Sequence, residues 1–159
     1  MNTHRTQGFT LQELLIVMFI VGIIATLTLG SMQRLNRTTQ LRAAATQFAS
    51  DLNRIRSAAT TQNQNTSLTL NSTGTAYTMQ FAGQTQTVNL PSGFTVQGVQ
   101  DSSGSWVAAA SSQWKVAYSA PYGEVDATSN GFQFQATSND LTPRIVRVVG
   151  VTGKVLNGE

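Results

Sequence analysis

Histidine, cysteine and carboxylate side chains carry most enzymatic chemistry, and this chain has few of them. His4 is the only histidine among 159 residues, and there is no cysteine. A Ser–His or Cys–His nucleophile and a histidine- or thiolate-bound zinc site therefore have no residues to build on beyond position 4. The sequence also lacks a glycine-rich phosphate-binding loop. It predicts that the protein is not an enzyme and that it holds no cofactor.

The carboxylates are the remaining candidates for metal or acid–base chemistry. Glu124 and Asp126 are two residues apart, so they point to one side of an extended chain. A calcium site or a carboxylate pair would need that arrangement, but two carboxylates alone do not define one. We predict no metal site.

The polar surface is predicted to be nearly uncharged. Charged residues make up 11% of the chain, against about 25% in an average protein, and threonine, glutamine, serine and asparagine supply the remaining polarity. Such a surface suits a protein that packs against copies of itself, and it also suits an ordinary secreted β-rich domain. Without cysteine, either one must hold together without disulfides.

Glu13 stands at the start of the longest apolar run. From Phe9 to Leu29 this run is 21 residues long, roughly 31 Å of helix, which matches a bilayer core of about 30 Å. A carboxylate at the mouth of such a segment is unfavourable and usually functional. A secretory signal peptide has no use for it. We predict a single transmembrane helix over residues 9–30, with the short basic end in the cytoplasm.

Residues 8–13 read GFTLQE and lead directly into the apolar run. This pattern resembles the processing signal of type IV prepilins and type II secretion pseudopilins. The resemblance implies that residues 1–8 are a leader, that a prepilin peptidase cuts between Gly8 and Phe9, and that the new N-terminus is methylated. Glu13 then becomes the fifth residue of the mature chain, where this family has its glutamate. Gln12 departs from the pattern, since many members have an apolar residue there.

The apolar segment stays on the mature protein, which gives Glu13 a physical task. When such segments bundle into a fibre, the α-amino cation of Phe9 is costly to desolvate. A carboxylate from a neighbouring subunit can neutralise that cation, and the attraction is stronger in a low dielectric. We predict that Glu13 sets the axial register between subunits. The alternative is that Glu13 merely reaches the membrane interface.

Gly22 and Gly30 lie inside the helical pattern, where each costs roughly 1 kcal/mol relative to alanine. Two interpretations stay open. Small residues allow close helix packing in a membrane, whereas the resemblance implies local melting of the helix when the fibre forms. Type IV pilins often have a proline near the position of Gly30, which this chain lacks.

The helical pattern continues over residues 31–62 as the second half of the same helix. Its apolar residues recur at intervals of four and three, which is one face of an α-helix. They are Leu41, Ala45, Phe48, Leu52, Ile55 and Ala59. We expect this face to pack onto a sheet.

From residue 66 onward the helical period gives way to alternation, interrupted by turn residues. Strands are predicted at 67–70, 76–81, 85–90, 94–99, 113–118, 131–136, 144–151 and 154–156. This pattern predicts an α+β fold in which a long N-terminal helix packs on an antiparallel sheet, with residues 63–159 forming the β-rich domain. Its aromatic residues expected in the core or on a sheet face are Trp106, Trp114, Phe132 and Phe134.

Two further segments extend the resemblance over the whole chain. Residues 48–59 read FASDLNRIRSAA and residues 147–155 read RVVGVTGKV. Both are similar to the minor-pilin and H-type pseudopilin family, whose fold is the pilin fold, although the glutamate often found in the first segment is missing. Major pilins often carry a C-terminal disulfide loop, so the lack of cysteine favours a minor pilin. A type II secretion pseudopilin remains the alternative, which the sequence does not separate.

The resemblance also implies partners and a location. The partners are other pilin subunits, the prepilin peptidase and the inner-membrane assembly platform. The chain would be anchored in the bacterial inner membrane through residues 9–30 before assembly, and would then enter a periplasmic or extracellular fibre.

A third hypothesis is a DNA receptor for natural transformation. Some relatives bind DNA through a C-terminal GRxR motif, whereas residues 153–156 here read GKVL and keep one charge. Arg144, Arg147 and Lys154 would form a small basic patch. Binding of DNA or another anion through two or three cations would be weak and sensitive to salt.

Overall fold

The structure is a computed structural model that describes residues 10–98, 114–127, 131–137, 141–149 and 153–158, with the side chains of residues 27–31 and 127 excepted. One helix, α1, spans Leu11–Gln62. Nine strands follow within the described residues: β1 Thr66–Leu70, β2 Ala76–Phe81, β3 Gln84–Asn89, β4 Phe94–Gly98, β5 Lys115–Ser119, β6 Glu124–Ala127, β7 Gly131–Ala136, β8 Arg144–Val149 and β9 Lys154–Gly158. The chain divides into two compact units, Met1–Arg37 and Thr38–Glu159.

In the first unit, the described part of the apolar run is helical and open on every side. Its large hydrophobic side chains, from Leu11 to Ile24, are between 48 and 80% exposed. A helix that is apolar all round is stable only when other apolar groups cover it. Among the residues that the structure describes, no helical segment is long and apolar enough to cross a membrane. The transmembrane helix predicted over residues 9–30 stays a prediction.

In the second unit, one face of α1 is buried, as its spacing predicts. All six residues of the predicted face are at most 1% exposed. The helix ends where Asn63 takes a left-handed backbone conformation with φ of 53°, since a residue in that conformation terminates an α-helix. The Thr66 hydroxyl then donates to the carbonyl oxygen of Ile55 over 2.9 Å, which ties the start of β1 back to the helix.

The strands form two antiparallel sheets. The first sheet has the order β3-β2-β1-β5-β6 and the second has the order β4-β7-β8-β9. Gly74, in the turn between β1 and β2, accepts a 2.8 Å hydrogen bond from the Val96 amide of β4, so the first hairpin also contacts the second sheet. Gly74 has φ of 67°, and a Cβ at this position would collide with the Val96 backbone.

Phe48 joins the helix to both sheets. Its ring lies 5.0 Å from that of Tyr77 in the first sheet, and 4.9 and 5.2 Å from those of Phe132 and Phe134 in the second. All three contacts are edge-on, the geometry that aromatic rings favour. The core positions predicted for Phe132 and Phe134 are confirmed, while Trp114 is half-buried. Trp106 lies outside the described residues.

Most strand predictions hold to within about two residues, but β6 was not predicted. The strands at 76–81 and 131–136 have the predicted bounds. In β6, Glu124 and Asp126 pair with Ser119 and Ala117 of β5. Two of the four residues of β6 are acidic, and acidic residues are depleted in strands. Val125, which pairs with the buried Tyr118, was the available signal for a strand.

A buried carboxylate ties the helix to the first sheet. Asp51 is 4% exposed. Its Oδ2 accepts a 2.6 Å hydrogen bond from the Tyr77 hydroxyl, and both of its oxygens accept from Gln47 Nε2 at 3.2 Å. Burial raises the pKa of Tyr77, and the neighbouring Asp51 raises it further. Burial also raises the pKa of Tyr118 to about 12, although its hydroxyl has no hydrogen-bond partner among the described residues.

These two tyrosines give a matched test of that interaction. Tyr77→Phe should lower the free energy of unfolding by about 2 kcal/mol, because it removes a hydrogen bond to a charged group and leaves the Asp51 carboxylate with fewer partners. Tyr118→Phe removes an equally buried hydroxyl that has no described partner, and it should change stability little. Urea unfolding of the full chain in a non-ionic detergent, followed by tryptophan fluorescence, measures both. Equal losses from the two variants would contradict this role of Asp51.

Candidate functional site

Glu13 lies in the first turn of α1 and forms hydrogen bonds with Thr10, the residue directly before the helix. Its Oε2 accepts hydrogen bonds from both the amide and the hydroxyl of Thr10, each 2.9 Å long. In return, the Thr10 Oγ1 accepts from the Glu13 amide at 3.3 Å. This reciprocal arrangement is a capping box, in which threonine and the glutamate three residues later satisfy amides that the helix leaves unpaired.

The assembly role predicted for Glu13 does not include its bonds to Thr10. The signal was present, because Thr10 and Glu13 have the Ser/Thr-x-x-Glu spacing of a capping box directly before an apolar run. Both side chains are exposed. The carboxylate is therefore held in a fixed position while remaining open to a second, cationic partner. Gly8 and Phe9, the predicted processing site, lie outside the described residues.

The two helical glycines lie within continuous helix. The segment Leu11–Gln62 includes both Gly22 and Gly30 without interruption. Around Gly22, a Cβ would meet no atom within 4 Å, so nothing in the described chain packs closely against it. Its predicted roles in helix packing or melting, like those of Gly30, stay predictions.

The three cations of the predicted basic patch do not share one face of the sheet. Arg147 pairs with Leu156, and Lys154 pairs with Val149. Paired residues lie on the same face and successive residues alternate, so Arg147 and Lys154 project together from the outward face, where both are exposed. Arg144 pairs with the fully buried Phe134 and thus belongs to the opposite, core-facing side.

The surroundings of Arg147 and Lys154 are partly apolar. Val149 and Leu156, their direct partners in the pairing of β8 with β9, are 45% and 44% exposed. The outward face at this end of the sheet therefore presents two cations among aliphatic side chains. A face of this composition would bind a polyanion such as DNA less strongly than a face lined by a run of arginines and lysines.

The two acids of β6 lie on one side of the first sheet, as their spacing predicts. They pair with Ser119 and Ala117, whose neighbours Val116 and Tyr118 face the core. Glu124 and Asp126 therefore point outward, and both are exposed. Within the described residues, no group of three or more potential ligands is close enough together to hold a metal ion.

Comparison with known proteins identifies the N-terminal segment. Residues 3–29 match the family model of the prokaryotic N-terminal methylation motif. This match includes the predicted processing site, Glu13 and the apolar run. No curated protein sequence matches the chain significantly.

The fold matches that of a solved pilin. The structure of the type IV minor pilin FimU from Pseudomonas aeruginosa PAO1 aligns with 79% of this chain and 92% of its own, with a TM-score of 0.52 and 13% sequence identity. At this identity the match bears on the fold alone. Together with the methylation motif, it confirms the predicted resemblance to type IV pilins and the predicted pilin fold, a long helix packed on antiparallel sheet.

The capping box predicts a measurable change at the start of α1. Thr10→Ala removes the hydroxyl that both gives and accepts a bond, and should weaken the first turn by about 1 kcal/mol. Thr10→Ser keeps the hydroxyl and is the matched control. Hydrogen exchange of the full chain in detergent should speed up about fivefold in the alanine variant alone at the amides of Glu13 and Leu14, which bond to Thr10. Equal exchange rates in the two variants would refute the cap.

Proposed function

We propose that the protein is a minor structural subunit of a type IV pilus, held in a helical fibre by its N-terminal helix. The observation that carries the proposal is the methylation motif over residues 3–29 on a chain with the pilin fold. In this proposal residues 1–8 are removed by a prepilin peptidase, and Phe9 becomes the methylated N-terminus. The protein is then a substrate of an enzyme rather than an enzyme itself.

The exposed apolar helix supports assembly as the main task. Its large side chains between Leu11 and Ile24 are about half exposed or more, and exposed apolar area is unfavourable at roughly 25 cal/mol per Å². The bacterial inner membrane would cover this surface before assembly, and the helices of other pilin subunits would cover it afterwards. The inner-membrane assembly platform would transfer the subunit from one environment to the other.

Glu13 would then act through its charge. The capping box fixes the carboxylate at the start of the helix, where the N-terminal cation of an adjacent subunit can approach it. In the low dielectric of a helix bundle this attraction is several times stronger than in water. The pair would align neighbouring subunits along the fibre axis.

Two alternatives share part of this argument. A type II secretion pseudopilin would use the same motif and fold, and it differs in the machine that it joins. A DNA-binding minor pilin would use Arg147 and Lys154, which share an exposed face, without help from Arg144. Two cations give a weak and salt-sensitive attraction. The methylation motif and the pilin fold are common to all three candidates, so the location of the mature chain has to separate them.

The first test locates the mature chain. We expect quantitative mass spectrometry of fibres sheared from the native host to detect this chain, starting at methylated Phe9 and present well below the main subunit. The cell envelope is measured alongside as the control fraction. A chain that is processed but stays in the envelope would favour the secretion pseudopilin, and an uncleaved leader would refute the processing step.

The second test separates the charge of Glu13 from its capping role. Glu13→Gln keeps a side chain that can complete a capping box but removes the charge. Cleavage of the leader should therefore be normal. Incorporation into fibres should fall at least about tenfold, because breaking a buried ion pair costs several kcal/mol. Thr10→Ala keeps the charge, and it should be incorporated nearly as wild type. Immunoblots of sheared fibres measure both. Normal incorporation of the glutamine variant would exclude the ion pair.

A further inference from the structure

A cavity opens within the second unit, between α1 and one end of the second sheet. Its volume is about 340 Å³, near the lower limit for sites that bind small molecules. Three elements contribute to it: the helix, the first residue of β8 and the last residues of β9. The lining residues are Arg42, Ala45, Thr46, Arg144, Asn157 and Gly158.

The cavity brings together two arginines from distant parts of the sequence. Arg42 comes from the helix and Arg144 from the start of β8. No carboxylate is among the described residues that line it. Arg144 is half-buried and also makes an interaction of its own. Two positive charges that line one concave site raise the local potential for anions.

The polar groups beside the arginines are neutral. Asn157 Nδ2 donates to the Thr46 hydroxyl over 3.4 Å, which links the end of β9 to the helix across the cavity. This bond is long, and both side chains are exposed. Each therefore keeps capacity for a further hydrogen bond. A hydroxyl and an amide are groups that bind the hydroxyls of a ligand.

The charge and the volume together select a class of ligand. A carboxylate carries one negative charge, whereas a phosphate monoester carries nearly two negative charges and three acceptor oxygens, which match the charge and the donors of two guanidinium groups. A bare phosphate ion would fill only part of the cavity. The remaining space is adjacent to Thr46 and Asn157, which suit a body with hydroxyl groups.

We propose that this cavity is a binding site for a phosphate ester, in which Arg42 and Arg144 bind the phosphate and Thr46 and Asn157 bind the hydroxylated body. The site is distinct from the outward face of Arg147 and Lys154, because Arg144 lies on the other side of the sheet. It also does not depend on the proposed role in a pilus, since every residue that carries it belongs to the second unit.

Isothermal titration calorimetry of the full chain in a non-ionic detergent at low salt tests the proposal. The probes are glucose 6-phosphate, inorganic phosphate and glucose. We expect one glucose 6-phosphate to bind per chain, more tightly than inorganic phosphate, and glucose not to bind. Arg42→Gln and Arg144→Gln should each weaken binding at least about tenfold, because each removes charge-assisted hydrogen bonds.

Arg147→Gln is the matched control. It removes the same charge from the same strand on the opposite face, so it should leave the affinity for glucose 6-phosphate unchanged. Absence of binding would overturn the proposal. An equal loss of affinity in all three arginine variants would also overturn it, because it would mean that the ligand is attracted to the net charge of the protein rather than to this cavity. Thermal unfolding of each variant confirms that it is folded, so a loss of binding cannot come from misfolding.

A further arm identifies the source of the phosphate. The titration is repeated in detergent micelles that contain phosphatidic acid, whose headgroup is a phosphate monoester, or, as control, phosphatidylcholine. If phosphatidic acid alone abolishes binding of glucose 6-phosphate, the site takes a lipid headgroup. If neither lipid does, the site takes a soluble phosphate ester. Both results support the phosphate site, and fibre assembly is not measured, so a failure here is separate from a failure of the pilus proposal.

Discussion

The insertion of Phe48 between the two sheets is the interaction on which the rest of the second unit depends. Its ring contacts Tyr77 on one side and Phe132 and Phe134 on the other, so a single helical residue fixes both sheets against α1. Less than one turn later Asp51 follows on the same side of the helix and binds the Tyr77 hydroxyl. The aromatic contacts bury apolar surface in many orientations, whereas the directional hydrogen bond to Tyr77 fixes the rotation of the helix about its axis.

That constraint decides which residues of α1 remain available. Once Phe48 and Asp51 face inward, the 3.6-residue period directs Arg42 and Thr46 towards the side of the helix at β9, where they line the cavity with Arg144. The residues from 14 to 24 carry apolar side chains all round and have no such preferred face. Along one helix, the sequence thus changes from a segment made to be surrounded by apolar groups to a segment made to cover one core.

How far the sequence predicts this structure depends on whether each signal is local. The buried face of α1 and the strands at 76–81 and 131–136 follow from periodicity over a few residues, and all were predicted correctly. The capping box of Thr10 and Glu13 is an equally local signal, but it was not predicted, since the charge of Glu13 was interpreted only as an assembly contact. The division of nine described strands into two sheets could not be predicted, because it depends on pairings such as β1 with β5 between residues nearly 50 positions apart. The cavity could not be predicted for the same reason, because its lining residues come from α1, β8 and β9, which are far apart in the sequence.

The scarcity of charge makes the position of each ionic group informative. In a chain with 11% charged residues, a buried acid needs a structural task that gives it partners, because an unpaired buried charge is strongly destabilising. Asp51 has such a task in its bonds to Tyr77 and Gln47, and Glu13 has one in capping Thr10. The remaining surface of threonine, serine and glutamine can approach copies of itself without repulsion, which is what the proposed packing in a fibre requires. In that proposal the few charges can determine register and specificity, since close approach between subunits does not have to overcome them.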